Sequence, residues 1–312
     1  MQVAVRFQEA VQKIGRFASD LRSGPANAVG AAEQVVDEML DAFQGASEVL
    51  INIVNTTDAN FSVYTHAVNV TVLSVLLARH LQLESAEIRT IGIGALIHDI
   101  GKSELPAQLV AKSSRLSAPE QAVLRSHPLR GRKLVERIRE LPPEVLAIVE
   151  NHHEHLDGSG YPRGLRDPQI WLGVRVVQIA NTYDNLCNPP DLAQALSPRD
   201  AMATLYRSYR GRLDNRLVAH FIKAMGIYPP GTVVRLSNDD IGMVVSVDEH
   251  QLLRPRVVVY NAEIPRWNAL MIDLRERSDL EVRDVLRPGE CPPAIYEYLG
   301  ISERLGYFYE TR

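Results

Sequence analysis

Five of the nine histidines, His66, His98, His127, His152 and His153, fall on expected helices or helix ends beside acidic groups. A neutral imidazole offers a ring nitrogen to a first-row metal ion and a carboxylate offers oxygen, so together they form a candidate metal centre. His98 and Asp99 end a run that is otherwise apolar, Ile91-Gly92-Ile93-Gly94-Ala95-Leu96-Ile97, which carries their polar heads towards the interior. A bare carboxylate is costly there. A cation removes that cost, and Asp99 can bridge two of them, the arrangement that clamps the attacking and leaving oxygens in a two-metal hydrolysis.

Spacing adds further candidates. In the helix expected from Glu144, Val145, Ile148, Val149 and His152 follow i, i+3, i+4, i+7, so His152 points where the core-facing side chains point. His153 lies roughly 100° further round, which lets both reach one site at the helix end. Val174, Val177 and Asn181 share a face of a helix expected over 170–186, aiming Asn181 inward. Lys102 follows His98-Asp99 after one helical step and a glycine, where a cation suits a phosphate whose charge grows during displacement. The alternative is a solvated lysine favoured by the helix dipole. Asp157-Gly158-Ser159-Gly160-Tyr161-Pro162 is turn-forming and directly follows His152-His153-Glu154, which makes it a candidate substrate or partner surface.

The elements that must position these groups are mostly helical. Phe7, Val11, Ile14 and Phe17 recur at intervals of three and four, and Ser23-Gly24-Pro25 interrupts them. Two amphipathic helices are expected in residues 1–59, as a dimer seam, a signal-transmitting neck, or a cap on the chain's own core. Residues 60–228 read as helix after helix. The segment 67–81 is apolar almost all round and should be buried, and 88–100 stops at Gly101. Ser117-Ala118-Pro119-Glu120 has capping-box spacing, which predicts a helix carrying His127 in its third turn. Pro142-Pro143 opens another. From 229 to 312 the period changes: β-branched runs over 232–247 and 256–272, with turns at Asn238-Asp239-Asp240 and Asp248-Glu249-His250, predict a small antiparallel sheet. The last forty residues read as a strand and short helices wrapped on the body.

Composition narrows the function classes. With 312 residues and 46% hydrophobic content, the chain can bury a full core. A net charge of -4 without a basic stripe argues against a long nucleic acid as partner. The two cysteines, Cys187 and Cys291, lie far apart in a chain that needs no staples, so reduced thiols and a cytoplasmic setting are expected. No stretch approaches the roughly 20 apolar residues of a membrane span, and the start MQVAVRFQEAVQKIG lacks a signal-peptide core, so no membrane insertion is expected.

Taken in order, these residues resemble the HD-GYP branch of the HD superfamily. His98-Asp99 with Gly101-Lys102 is similar to its HD-x-GK element, and His152-His153-Glu154 through Asp157-Gly158-Ser159-Gly160-Tyr161-Pro162 to Leu165 is similar to its HHE and GYP signature. The resemblance spans roughly 60–228. It implies a mainly α protein: an HD-type helical bundle with N-terminal helices and a small C-terminal antiparallel β extension. It also implies hydrolysis of cyclic di-GMP to pGpG or GMP by divalent metal ions, iron or manganese first, with nickel, magnesium or zinc as alternatives. The implied ligands are His66, His98, Asp99, His127, His152 and His153. Lys102 would face the phosphate, and Gly160, Tyr161 and Pro162 would border the nucleotide or meet a diguanylate cyclase.

The chain departs from the family pattern in three places. Where the family has AD-x-(Y/F)-DA, it reads Ala180-Asn181-Thr182-Tyr183-Asp184-Asn185, so a neutral Asn181 occupies a ligand position. A looser metal is expected, with Asp184 or a water as a partial substitute. Ser62 stands where members with a third metal carry glutamate, so two ions are expected. Asn188-Pro189-Pro190 replaces the usual RPY. Beside a working phosphodiesterase stand two alternatives: a receptor or protein-interaction module that binds cyclic di-GMP without turnover, and HD chemistry on another nucleotide or phosphoester.

Overall fold

Helix α1 (Gln2–Ser23) and helix α2 (Val29–Gln44) open the chain. The computed structural model describes residues 2–23, 29–44, 49–56, 63–138, 141–247, 251–287, 290–300 and 304–311. Ser62, the break at Gly24-Pro25 and the turn Asp248-Glu249-His250 therefore lie outside the described residues. Phe7, Ile14 and Phe17 of α1 and Val36 and Met39 of α2 are buried in one core with the helices that follow. The apolar stripe that could have been a dimer seam or neck is thus a cap on the chain's own body. Strand β1 (Val49–Thr56) corrects the expectation of a wholly helical N-terminal region. Its run of valines and isoleucines suits extended backbone, and the last strand of the chain supplies its hydrogen-bonding partner.

The helical body comprises α3 (Val63–His80), α4 (Ser85–Ile97), a 3₁₀ turn (Ile100–Glu104), α5 (Ala107–Val110), α6 (Ala118–Leu124), α7 (His127–Val135), α8 (Pro143–Asn151), α9 (Leu172–Cys187), α10 (Pro198–Ser208) and α11 (Asn215–Met225). Helix α3 is apolar all round because it is covered by α1, α4, α9 and α11. The Glu120 carboxylate accepts from the Ser117 backbone N–H, as the capping spacing predicts. The helix it starts does not reach His127, however. It ends at Leu124, and His127 opens a new helix, since Pro128 has no N–H to donate to the Leu124 carbonyl four residues back and its ring crowds that carbonyl.

Strands β2 (Val233–Leu236), β3 (Ile241–Ser246), β4 (Arg256–Val259), β5 (Leu270–Asp273) and β6 (Val282–Val285) form an antiparallel sheet in the order β5-β4-β3-β2-β6. Alternation along β3 sends Val244 into one small core with Val234 and Val257, and Met243 and Val245 into another with Leu299. After α12 (Pro293–Leu299), β7 (Arg304–Thr311) returns to pair antiparallel with β1, Ile53 opposite Tyr307. No helix among the described residues is long and apolar enough to cross a membrane.

Candidate metal centre

The helix ends deliver the candidates to one place. His98 caps α4, with Asp99 next to it and Lys102 on the following turn; His127 opens α7; His152 caps α8 and precedes His153; His66 sits in the first turn of α3 and Asn181 inside α9. Gly101 permits this convergence. A Cβ there would lie 1.9 Å from the carbonyl oxygen of His127, so only glycine lets the turn after Asp99 press against the start of α7.

Three rings are oriented by local bonds. Nδ1 of His98 donates to the Ala95 carbonyl (2.6 Å), Nδ1 of His127 to Leu124 (2.7 Å) and Nδ1 of His152 to Val149 (3.0 Å). A carbonyl only accepts, so each Nδ1 carries the hydrogen and each neutral ring presents an Nε2 lone pair. Those lone pairs converge. Nε2 of His127 is 3.1 Å from Nε2 of His152 and 3.1 Å from Asp99 Oδ1; Asp99 Oδ2 is 3.5 Å from His98 Nε2 and 3.6 Å from His66 Nε2. Asp99 is shared between two sets of ligand atoms, one with His127, His152 and His153 and one with His66 and His98.

Electrostatics favours a cation here. His98 Nε2 and Asp99 Oδ1 are buried without a hydrogen-bond partner, and acceptors facing acceptors away from water are unfavourable unless positive charge lies between them. The residues present fit divalent ions in both sets. Burial pushes the His98 and His153 imidazoles well below their usual range, and His152 below it, so all three stay neutral and available as ligands. Burial pushes the Asp99 carboxyl up, but Lys102, His98 and the neighbouring imidazoles outweigh it and hold the group well below the usual carboxylate range. Lys102 Nζ lies 2.5 Å from Asp99 Oδ2, at the cluster and not out in solvent.

His66 is held by a longer chain of contacts. Its Nδ1 meets Asp184 Oδ2 at 2.6 Å, and Asp184 Oδ1 accepts from the amides of Asn69 (2.8 Å) and Asn188 (2.9 Å). Both amides also donate to the Leu305 carbonyl in β7, while the backbone N–H groups of Leu305 and Tyr307 donate to Asn188 and Asn69 in return. Asp184 therefore stands behind the ring and orients it, and does not take the place of a ligand at Asn181. Asn181 Oδ1 itself lies 3.0 Å from His66 Nε2. The departure at Asn188-Pro189-Pro190 likewise serves β7, since the Arg304 guanidinium donates to all three carbonyls.

The loop after His153 is pinned from inside. The fully buried Glu154 carboxylate accepts from the backbone N–H groups of Arg163 (2.6 Å) and Leu165 (2.9 Å), and Gln178 of α9 donates to its carbonyl. A Cβ at Gly160 would lie 2.3 Å from the His155 nitrogen, so this turn too needs glycine. Tyr161 stacks on His153 with centroids 4.6 Å apart, and the Arg125 guanidinium lies 5.2 Å from the Tyr161 ring centre. Tyr161 thus borders the cluster on the His153 side, with Gly160 and Pro162 next to it in the loop. Sequence reasoning missed Asn69, Arg125 and the anchoring role of Glu154. Asn69 follows His66 by one turn, which was a usable signal; the other two carry none in their spacing.

Residues 48–217 match the HD domain family. The chain is 32% identical over 241 residues to "Cyclic di-GMP phosphodiesterase PA4108" of Pseudomonas aeruginosa, covering 77% of this chain and 58% of that protein. It is 37% identical over 145 residues to "Cyclic di-GMP phosphodiesterase response regulator RpfG" of Xanthomonas campestris pv. campestris, covering 46% of this chain and 38% of the relative. The chain thus spans roughly half the length of these curated relatives. Among solved structures it resembles Bd1817, a HDG"Y"P protein from Bdellovibrio bacteriovorus, with a TM-score of 0.52 at 23% identity over 66% of each chain, a likeness of fold. With more than half its length matched and the HD and GYP elements meeting at one cluster, the chain belongs to the HD domain family, as a member of the HD-GYP branch.

Proposed function

We propose that this chain is a metal-dependent phosphodiesterase that hydrolyses cyclic di-GMP to pGpG or GMP at the Asp99 cluster. The observation that carries the reading is a buried carboxylate shared by two sets of imidazole nitrogens, with His98 Nε2 and Asp99 Oδ1 buried and without a hydrogen-bond partner. Asp99, His127, His152 and His153 would hold one ion, and Asp99, His66, His98 and Asn181 the other. Bound there, two divalent ions, iron or manganese first and nickel, magnesium or zinc as alternatives, supply positive charge that polarises a phosphodiester and lowers the pKa of a water molecule.

The protein's own groups do the rest. Burial keeps the His98, His152 and His153 imidazoles unprotonated at neutral pH. Lys102, beside Asp99 at the cluster, would offer an ammonium to charge developing on the non-bridging oxygens, and the stack of Tyr161 on His153 limits rotation of that ring. Gly160, Tyr161 and Pro162 would border the nucleotide, or present a surface to a diguanylate cyclase. A homodimer through the N-terminal helices would use the outer faces of α1 and α2. Two free, buried cysteines support a reducing, cytoplasmic setting.

The test is cyclic di-GMP turnover, measured anaerobically after loading with ferrous iron and separately with manganese, against a His98→Ala, Asp99→Ala control. Turnover far above the control is expected. Asn181 favours a second reading, a cyclic di-GMP receptor without turnover. That reading gains if wild-type protein binds the nucleotide without cleaving it and Asn181→Asp raises the rate by orders of magnitude.

A further inference from the structure

Asn181 and Asn185 are both departures from the family stretch AD-x-(Y/F)-DA, which has aspartate and alanine at these two places. An amide is a poorer ligand than a carboxylate for two reasons. It is neutral, and only one of its two terminal atoms can face a cation, because the other is an NH₂ group. Turned the wrong way, Asn181 would repel the ion it is meant to hold.

Asn185, exposed and one helical turn further along α9, prevents this. Its Nδ2 donates to the backbone carbonyl of Asn181 (2.8 Å) and to Asn181 Oδ1 (2.6 Å). Were the Asn185 amide reversed, its oxygen would face a carbonyl oxygen; were Asn181 reversed, two NH₂ groups would meet. Only one orientation satisfies the pair, and it sets Asn181 Oδ1 3.0 Å from His66 Nε2. The Asp184 carboxylate on the far side of the His66 ring takes the hydrogen of Nδ1, which leaves Nε2 as a lone pair. In the neutral ring this sets two acceptors facing each other at hydrogen-bond distance, an arrangement that suits a cation between them.

We propose that Asn185 is a positioning residue for the ion on the His66 side, and that the two departures act as a pair: Asn185 aims the oxygen of Asn181 so that a neutral ligand still serves. This rests on the metal-centre reading above. Its consequence is stepwise filling, with a tightly held ion on the His127 side and a weaker, exchangeable one beside His66.

Manganese titration of the metal-free full chain by calorimetry, without nucleotide, tests the pairing in wild type, Asn185→Ala, Asn181→Asp and the double variant. Wild type should take two equivalents of unequal affinity. Asn185→Ala should weaken the weaker step by about 10-fold or more and leave the stronger one alone. Asn181→Asp should tighten the weaker step, and in that background Asn185→Ala should change little, because both oxygens of a carboxylate accept. Equal weakening in both backgrounds, or an unchanged weaker step in Asn185→Ala, overturns the proposal. Thermal unfolding checks that all four proteins fold; Asn185→Leu, which also lacks the donor, repeats the test if the alanine variant does not. Cyclic di-GMP turnover is scored separately. Absent turnover with the expected manganese pattern would sink the phosphodiesterase reading alone, whereas no manganese bound by wild type would overturn the metal centre itself.

Discussion

The two sides of the metal centre are built to different plans. On the His127 side, His127 and His152 are oriented by carbonyls three residues back in the chain, Leu124 at the end of the preceding helix and Val149 in the last turn of α8. On the His66 side, the ring depends on Asp184, 118 positions later, and Asp184 depends on Asn69, Asn188 and the backbone of β7. One side comes with the local fold of its helices. The other is complete only when the C-terminal strand has docked, so the chain's last elements belong to the site although they contribute no ligand.

Asp99 joins the two plans, and its loss should have the largest effect. Asp99→Ala is expected to abolish binding at both positions and to lower turnover by about 10³-fold or more, checked by metal analysis beside the rate assay. Retention of one tightly bound ion would show the sides to be independent.

Asp184→Ala should separate them. It leaves buried donors on His66, Asn69 and Asn188 unpaired, which should cost roughly 3 kcal/mol or more in denaturant unfolding. Metal affinity on the His66 side should fall about 10- to 100-fold while the other side holds its ion. Equal loss on both sides would erase the distinction.

Gly101→Ala probes the local plan. The added methyl meets the His127 carbonyl at 1.9 Å, so α7 must shift. A stability loss of about 1–3 kcal/mol is expected, with weakened binding first on the His127 side, read by thermal unfolding and metal titration.

The smallest effect is in pH. His98, His152 and His153 titrate below the ordinary 6.5 in the fold. As pH falls through 6.5, the unfolded chain takes up protons that the folded chain refuses, so stability present at higher pH is lost. The thermal midpoint of metal-free protein should therefore drop between pH 7.5 and 5.5. A flat or rising profile would mean that these rings are not held neutral.

Much of the centre was legible because its signals are short in sequence. An apolar run ending in His98-Asp99 can only carry those heads inward, and one-face spacing aims His152 and Asn181. The same local rules failed where a neighbour decided. Capping at Ser117 predicts a helix through His127, but Pro128 ends it first, and that break lets His127 begin a helix with its ring tied back to Leu124. Residues 49–56 carry β-branched types without a partner nearby in sequence, and their strand exists because β7 returns to pair with them.

The sequence by itself determined the donor types, their placement at helix ends and the helical class of the body, since helix periodicity and turn chemistry act over a few residues. Only the tertiary structure decided that Asp99 is shared between two sets of nitrogens, that Asp184 lies behind His66 and not beside Asn181, and that β7 holds the asparagines which hold Asp184. Those outcomes depend on contacts between residues from tens to more than two hundred positions apart, where burial makes each unpaired polar group costly and packing settles which partner it finds.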